Sequence, residues 1–211
     1  MNLILAKKLG LTKKEILLFK KLSSPEKVQD FLNTFGERKV RRGEVEYRSP
    51  RKVLERKRAH CIEGALLAAL AFWLHGRKPI ILDLKVRKPD VDHVITIFKE
   101  GKRFGAVSRS NYYSLRYRDP VYRNIRELVM SYYHEYFLEK SGEKTLVSYS
   151  EIFNLSKYKN GAWATTQKDL YPLVEKLDFS KHHSVLPRSG YRGRRADRIE
   201  RNVQKVKENR W

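Results

Sequence analysis

The chain has 211 residues, of which 41% are hydrophobic and 33% charged, a composition that suits one compact domain with a heavily charged surface. No uncharged apolar run reaches the roughly 18 residues that a membrane-spanning helix needs, and the short N-terminal apolar stretch does not resemble a signal peptide. One cysteine cannot form an internal disulfide, so we expect a protein of a reducing compartment, the cytoplasm.

The formal net charge of +22 is concentrated in two basic runs, residues 38–58 and residues 188–211. A field of this sign attracts polyanions such as nucleic acid. Because no nucleic-acid recognition motif accompanies the charge, two interpretations stay open. The basic C-terminal tail binds nucleic acid or another polyanion, or the charge belongs to a solvated surface without a dedicated partner.

The N-terminal part predicts short helices. Thr12 and Glu15 have the spacing of a capping box, in which each side chain satisfies a free backbone N–H of the first turn. Ser24-Pro25 and Ser49-Pro50 are further helix starts, since proline at the first helical position loses no hydrogen bond. We expect residues 1–48 to form a helical segment packed on the core.

The stretch from Cys61 to Leu74 is almost entirely apolar and ends at His75-Gly76. Alanine and leucine favour a helix, and apolar residues on every side indicate burial on every side. This stretch is therefore the predicted central helix of a domain that spans residues 49–187.

Three strand-like stretches follow, at residues 79–86, 93–98 and 103–107, and a tight turn at 99–102 joins the last two. A buried helix followed by an antiparallel meander predicts an α+β fold, with the central helix packed on a small antiparallel sheet. Further helices are predicted at residues 123–137 and 167–177. Residues 188–211 are Arg-rich with few hydrophobic anchors, which predicts a basic, flexible tail.

Cys61 begins the predicted central helix, where the helix dipole and the free N–H groups favour a thiolate. Its own backbone N–H, at the helix end, could serve as one oxyanion donor. His93 begins the second strand and Ser108 follows the third, and in antiparallel neighbours these two positions lie side by side. A thiolate, a base and a polar group that orients the base are the parts of a cysteine hydrolase site.

These residues carry a resemblance to a known family. The stretch from Cys61 to Leu70 resembles the nucleophile helix of the transglutaminase-like superfamily, which has a papain-like fold. The stretch from His93 to Phe98, followed by Gly101 and Phe104, resembles the strand that carries the family's histidine and the strand returning from it. The similarity covers about residues 49–111. It implies a cysteine hydrolase that acts on peptide or amide bonds of a protein or peptide substrate.

The family has an aspartate four residues after the aromatic residue of the returning strand, and Ser108 holds that position here. Asn111 is an alternative third member, as an asparagine is in papain-like sites, and Asp92 is another. His60 is interpreted as a flanking residue, because neighbouring side chains on a helix diverge. The sequence predicts no cofactor, and its histidines lack the paired spacing of a metal site. The alternative function is that of a non-catalytic basic domain that binds a polyanion.

Overall fold

A computed structural model of the protein describes residues 1–37 and 46–203, and of Val203 it describes the backbone only. This part of the chain mixes helices with an antiparallel sheet, which confirms the predicted α+β class. Residues 38–45 of the first basic run and residues 204–211 of the tail lie outside the described residues. Among those described, no helix has the length and apolar character needed to cross a membrane.

The helices begin where the capping residues predict. Thr12 and Glu15 form the reciprocal capping box, and the hydroxyls of Ser24 and Ser49 cap helices with proline in the first turn. The helices are α1 (Leu3–Lys8), α2 (Lys13–Lys21), α3 (Pro25–Asn33), α4 (Pro50–Arg56), α5 (Cys61–Leu74), α6 (Ile125–Tyr133), α7 (Tyr171–Asp178) and α8 (Arg198–Val203). Short 3-10 turns cover Tyr113–Leu115, Leu155–Lys157 and Lys159–Ala164.

Seven strands form the main sheet, in the order β6-β5-β4-β3-β7-β9, with β8 paired to β3 beside β7. They are β3 (Ile80–Val86), β4 (His93–Glu100), β5 (Arg103–Val107), β6 (Arg118–Tyr122), β7 (Leu146–Ser150), β8 (Phe153–Asn154) and β9 (His182–Ser184). All these pairings are antiparallel. A separate parallel pair joins β1 (Gly36–Glu37) to β2 (Arg58–Ala59), immediately before α5.

Helix α5 is the centre of the fold, with the bounds that the sequence predicts. Its residues from Ile62 to Phe72 and Leu74 are all buried, because apolar side chains cover the whole circumference. One side packs on β4 and β3, and the hydroxyl of Thr96 on β4 donates to the Ala65 carbonyl at 2.7 Å. Helices α1, α3 and α4 cover the other sides, so the N-terminal segment shares one hydrophobic core with α5.

The opposite face of the sheet carries a second apolar cluster, which α6 covers with Leu128, Val129 and Tyr132. Strand residues alternate between the two clusters, as the twofold periodicity of a strand requires: Val94 faces α5, and Ile95 faces α6. Helix α6 is shorter than the predicted 123–137. It runs from Ile125 to Tyr133, and the side-chain oxygen of the N-cap residue Asn124 accepts the Glu127 N–H at 2.8 Å. The sheet thus has helices on both faces.

Strands β6, β7, β8 and β9 have no counterpart in the sequence prediction. His182 and His183 lie in β9, and the His182 ring is half-buried near the Asp83 carboxylate. Helix α7 begins at Tyr171 rather than near Gln167. Residues 188–203 of the predicted tail lie against the body of the protein, where the Ala196 N–H donates to the Gly142 carbonyl at 2.8 Å.

Gly105 allows β5 to pack closely against its neighbours. A Cβ at this position would lie 2.5 Å from the Phe98 ring and 2.7 Å from the Arg118 carbonyl oxygen. We predict that Gly105→Ala lowers the free energy of unfolding by about 1–3 kcal/mol, the usual range for an overpacked core site. Urea denaturation measures the change. Gly36→Ala is the matched control, because its Cβ makes only an ordinary 3.6 Å contact, and an equal loss in both variants would contradict the prediction.

Candidate active site

A buried carboxylate holds the chain that enters α5. Glu63 lies in the first turn and is fully buried. Its carboxylate accepts the backbone N–H of His60 at 2.8 Å and that of Arg48 at 3.1 Å. These two bonds fix the chain entering the helix, and they place Cys61 at its first position, where a backbone N–H has no partner within the helix.

The Cys61 sulfur is half-buried and lies 3.4 Å from Nδ1 of the His60 ring. The interpretation of His60 as a mere flanking residue is therefore wrong. It rested on helical spacing, whereas His60 is the N-cap residue with extended backbone angles (φ −82°, ψ 167°), so its side chain does not follow the helical spiral. The sequence indicates this contact only through the position of His60, immediately before the start of the helix.

His93 and Ser108 are brought together by the pairing of β4 with β5. Val107 is the partner of Thr96, so Ser108 extends the same register and projects on the same face as His93, one diagonal step away. The His93 Nε2 lies 3.1 Å from the Ser108 hydroxyl oxygen, and both side chains are buried. The antiparallel meander thus provides the neighbouring pair that the sequence predicts.

The hydrogen bonds of Ser108 determine which nitrogen of His93 carries a proton. The hydroxyl has one hydrogen, which it donates to the Leu115 carbonyl at 2.6 Å, with the Arg116 carbonyl at 3.2 Å. Towards His93 the same oxygen can only accept, so Nε2 carries the N–H. The lone pair of neutral His93 is therefore on Nδ1, which is available to take a proton from the thiol.

Gln29 of α3 holds the backbone of Ser108 from a position 79 residues earlier in the chain. Its side-chain oxygen accepts the Ser108 N–H at 3.0 Å, and its amide nitrogen donates to the Ser108 carbonyl at 3.0 Å. Both residues are buried, so the paired bonds satisfy polar atoms that would otherwise lose their hydration. No pattern in the sequence indicates Gln29, which lies in the N-terminal segment outside the region of family resemblance.

Both histidines affect the charge of the thiol. Burial alone raises the pKa of Cys61, because it disfavours the charged thiolate. Hydrogen bonds from His60 and His93, together with their positive charge when protonated, outweigh burial and hold the pKa of the thiol well below its ordinary value. The arrangement therefore favours the thiolate more than the surroundings of a free cysteine do.

The two alternative third members line the same pocket, but their side chains have other partners. The side-chain oxygen of Asn111 accepts from the Arg109 guanidinium at 2.9 Å. The Asp92 carboxylate accepts from Lys85 at 2.7 Å and from the Val86 N–H at 2.9 Å. Of the three candidates for the third member, Ser108 is the residue whose side chain contacts the His93 ring.

A pocket of about 380 Å³ opens beside the Cys61 sulfur, a size within the roughly 300–1,000 Å³ of small-ligand sites. His60, His93 and Asn111 contribute to its lining, and Tyr136 lines it with a hydroxyl that donates to the Val91 carbonyl at 2.5 Å. The charged residues of its lining are Glu37, Asp90, Asp92 and Arg109. The Cys61 thiol therefore lies on the wall of a pocket that can admit a ligand group.

Among the described residues, potential metal ligands gather at Asp83, Asp92 and Asp178. The Lys85 ammonium lies among these carboxylates, 3.1 Å from Asp83 and 2.7 Å from Asp92, with a further contact to Asp178. Burial opposes the charge of Lys85, but these carboxylates raise its pKa. An ammonium group thus already occupies the position of a cation in this cluster.

Comparison of the chain with protein-family models and with curated proteins finds no match.

We predict that His60→Ala and His93→Ala each raise the pKa of the Cys61 thiol, because each removes a hydrogen bond and a positive charge that stabilise the thiolate. The expected rise is about one unit or more, the value of a hydrogen bond to a charged group. The measurement is the rate of alkylation by iodoacetamide as a function of pH, whose midpoint reports the thiol pKa. A midpoint for the wild-type protein at the value of a free thiol would contradict the prediction.

Proposed function

We propose that this protein is a transglutaminase-like cysteine hydrolase that cleaves peptide or amide bonds through Cys61, His93 and Ser108. The observation that carries the proposal is the chain of contacts from Leu115 through Ser108 to His93. It leaves Nδ1 of the base free beside a thiol whose pKa is lowered. The sequence resemblance over residues 49–111 supports the same assignment, with serine at the family's aspartate position.

In the proposed reaction the Cys61 thiolate attacks the carbonyl carbon of the substrate. A C–S bond forms while the C=O π electrons move to oxygen, and the backbone N–H at the start of α5 stabilises the oxyanion. The C=O bond then re-forms, the C–N bond breaks, and His93 gives its proton to the leaving amine. The product of this half-reaction is a thioester on Cys61.

Water completes the cycle. His93 takes a proton from the water as it attacks the thioester, and collapse of the second tetrahedral intermediate releases the acid and restores the thiolate. An amine that replaces water at this step would give acyl transfer by the same chemistry. Ser108 acts in both half-reactions as the group that orients His93, and Gln29 acts through Ser108 as a positioning residue.

A serine differs from the family's aspartate because it cannot stabilise the imidazolium by charge. In this site His60 provides part of the missing effect, since its ring lies 3.4 Å from the sulfur and stabilises the thiolate. The imidazolium of His93 therefore faces a thiolate rather than a carboxylate as its main counter-charge.

We predict an initial burst of p-nitrophenol from p-nitrophenyl acetate that is stoichiometric with the protein, because acylation of Cys61 precedes the slower hydrolysis of the thioester. Cys61→Ala abolishes the burst. His93→Ala lowers the acylation rate by about 10²–10⁴-fold, the usual contribution of a general acid–base. Peptide p-nitroanilides then identify the amide substrates.

Ser108→Ala and Asn111→Ala form a matched pair that tests the third member. Ser108→Ala removes the acceptor for His93 and lowers the acylation rate by about 10- to 100-fold. Asn111→Ala has a smaller effect, because its side chain is bonded to Arg109. The reverse order of effects would reassign the third member to Asn111, and a burst that persists in Cys61→Ala would refute the proposal.

A further inference from the structure

The first half of the predicted tail forms an arginine-rich surface at residues 188–201, which we call the arginine ledge. It contains six arginines and no lysine. Five of them are exposed, three of these within five residues, Arg194, Arg195 and Arg198, and the Arg194 side chain is 83% accessible. The ring of Tyr191 in the same segment is partly exposed as well. The ledge thus combines exposed guanidinium groups with a partly exposed aromatic ring.

The acidic residues of the ledge are largely used in local backbone contacts. The Asp197 carboxylate accepts the N–H groups of Ile199 at 2.8 Å and Glu200 at 3.0 Å, and the Glu200 carboxylate accepts the Asp197 N–H at 2.7 Å. Arg194 makes only a loose 3.9 Å contact with Asp197. The charge of the exposed arginines is therefore only weakly compensated within the segment.

The ledge is fixed to the protein by its backbone and by the side chains of Arg192 and Arg201. Buried Ala196 donates its N–H to Gly142 at 2.8 Å, and Arg201 donates to the Lys140 carbonyl at 2.8 Å. Arg192 pairs with Glu143. A Cβ on Gly142 would lie 2.3 Å from the Ala196 carbonyl oxygen, so the two segments touch. A surface held in this way loses less conformational entropy on binding than a free tail would.

The segments that hold the ledge are close in sequence to residues of the candidate active-site pocket. Residues 138–144 follow Phe137, which lines the pocket and pairs with Lys144. The Arg87 guanidinium donates to the Tyr191 carbonyl, and Arg87 begins the loop that leads to His93. The two segments that hold the ledge are thus next in sequence to residues that line the pocket.

We propose that the arginine ledge binds the phosphate backbone of a single-stranded nucleic acid, without reading its sequence. Charge complementarity requires an anionic partner in a protein of net charge +22. The ledge contains arginine and no lysine, which favours a phosphate ligand. The guanidinium binds phosphate oxygens through two parallel hydrogen bonds and stacks on bases. Tyr191 adds a stacking surface of the kind that single strands use. This inference does not depend on catalysis by Cys61.

The test is fluorescence anisotropy with a labelled single-stranded RNA of about 20 nucleotides, between about 50 and 200 mM salt. The ledge variant combines Arg194→Gln, Arg195→Gln and Arg198→Gln. We expect it to bind at least about tenfold more weakly at low salt. Its salt slope should fall by about two, since each contact with a single-strand phosphate contributes roughly 0.7.

The matched control combines Lys14→Gln, Lys20→Gln and Lys21→Gln on α2, all exposed, and removes the same charge. Under the proposal the control keeps the affinity and slope of the wild-type protein, and thermal melting verifies that both variants fold. Equal losses in the two variants would assign binding to net charge alone and overturn the proposal. Equal affinity of the wild-type protein for polyglutamate or for phosphatidylserine vesicles would overturn the choice of nucleic acid, and so would the absence of RNA binding.

Discussion

The burial of α5 on every side is the constraint on which the rest of the structure depends. A helix with leucine, alanine and phenylalanine around its whole circumference must be enclosed, and the sheet and the N-terminal helices enclose it together. Enclosure leaves only the helix ends near the surface. Cys61 is at the amino end, and its sulfur lies 3.9 Å from the carbonyl oxygen of Asp92, the residue before β4. The enclosure of one helix thus places a thiol near the strand end that carries His93, whose ring contacts Ser108 at the end of β5.

Polar contacts then convert this placement into a site. Ser108 is fully buried, and its hydroxyl, N–H and carbonyl all have partners, in His93, Leu115 and Gln29. A buried network with every group satisfied is stiff, since each broken bond leaves an unsolvated polar atom. The His93 ring is therefore held in one orientation and one tautomer. Burial opposes the thiolate, and the two histidines more than compensate for it.

The sequence predicted those elements whose signal is local and strong. The bounds of α5 followed from an apolar run between a cysteine and a glycine, and β3, β4 and β5 followed from β-branched stretches joined by a recognisable turn. Strand β6 was not predicted, because Pro120 and Asp119 are typical of loops, and at the sheet edge a proline costs no ladder bond. The contact of His60 with the sulfur and the bonds of Gln29 depend on a cap conformation and on tertiary packing, which spacing along the chain does not encode.

The link between Gln29 and Ser108 also makes the chemistry of the thiol a property of the completed fold. The groups that complete the site extend from residue 29 in α3 to residue 115 beyond β5, so they meet only after the sheet and α3 have packed together. In an unfolded or partly synthesised chain Cys61 is an ordinary thiol with an ordinary proton affinity. The reactivity of the Cys61 thiol therefore depends on whether the native fold has formed, including the packing of α3, whose Gln29 holds Ser108.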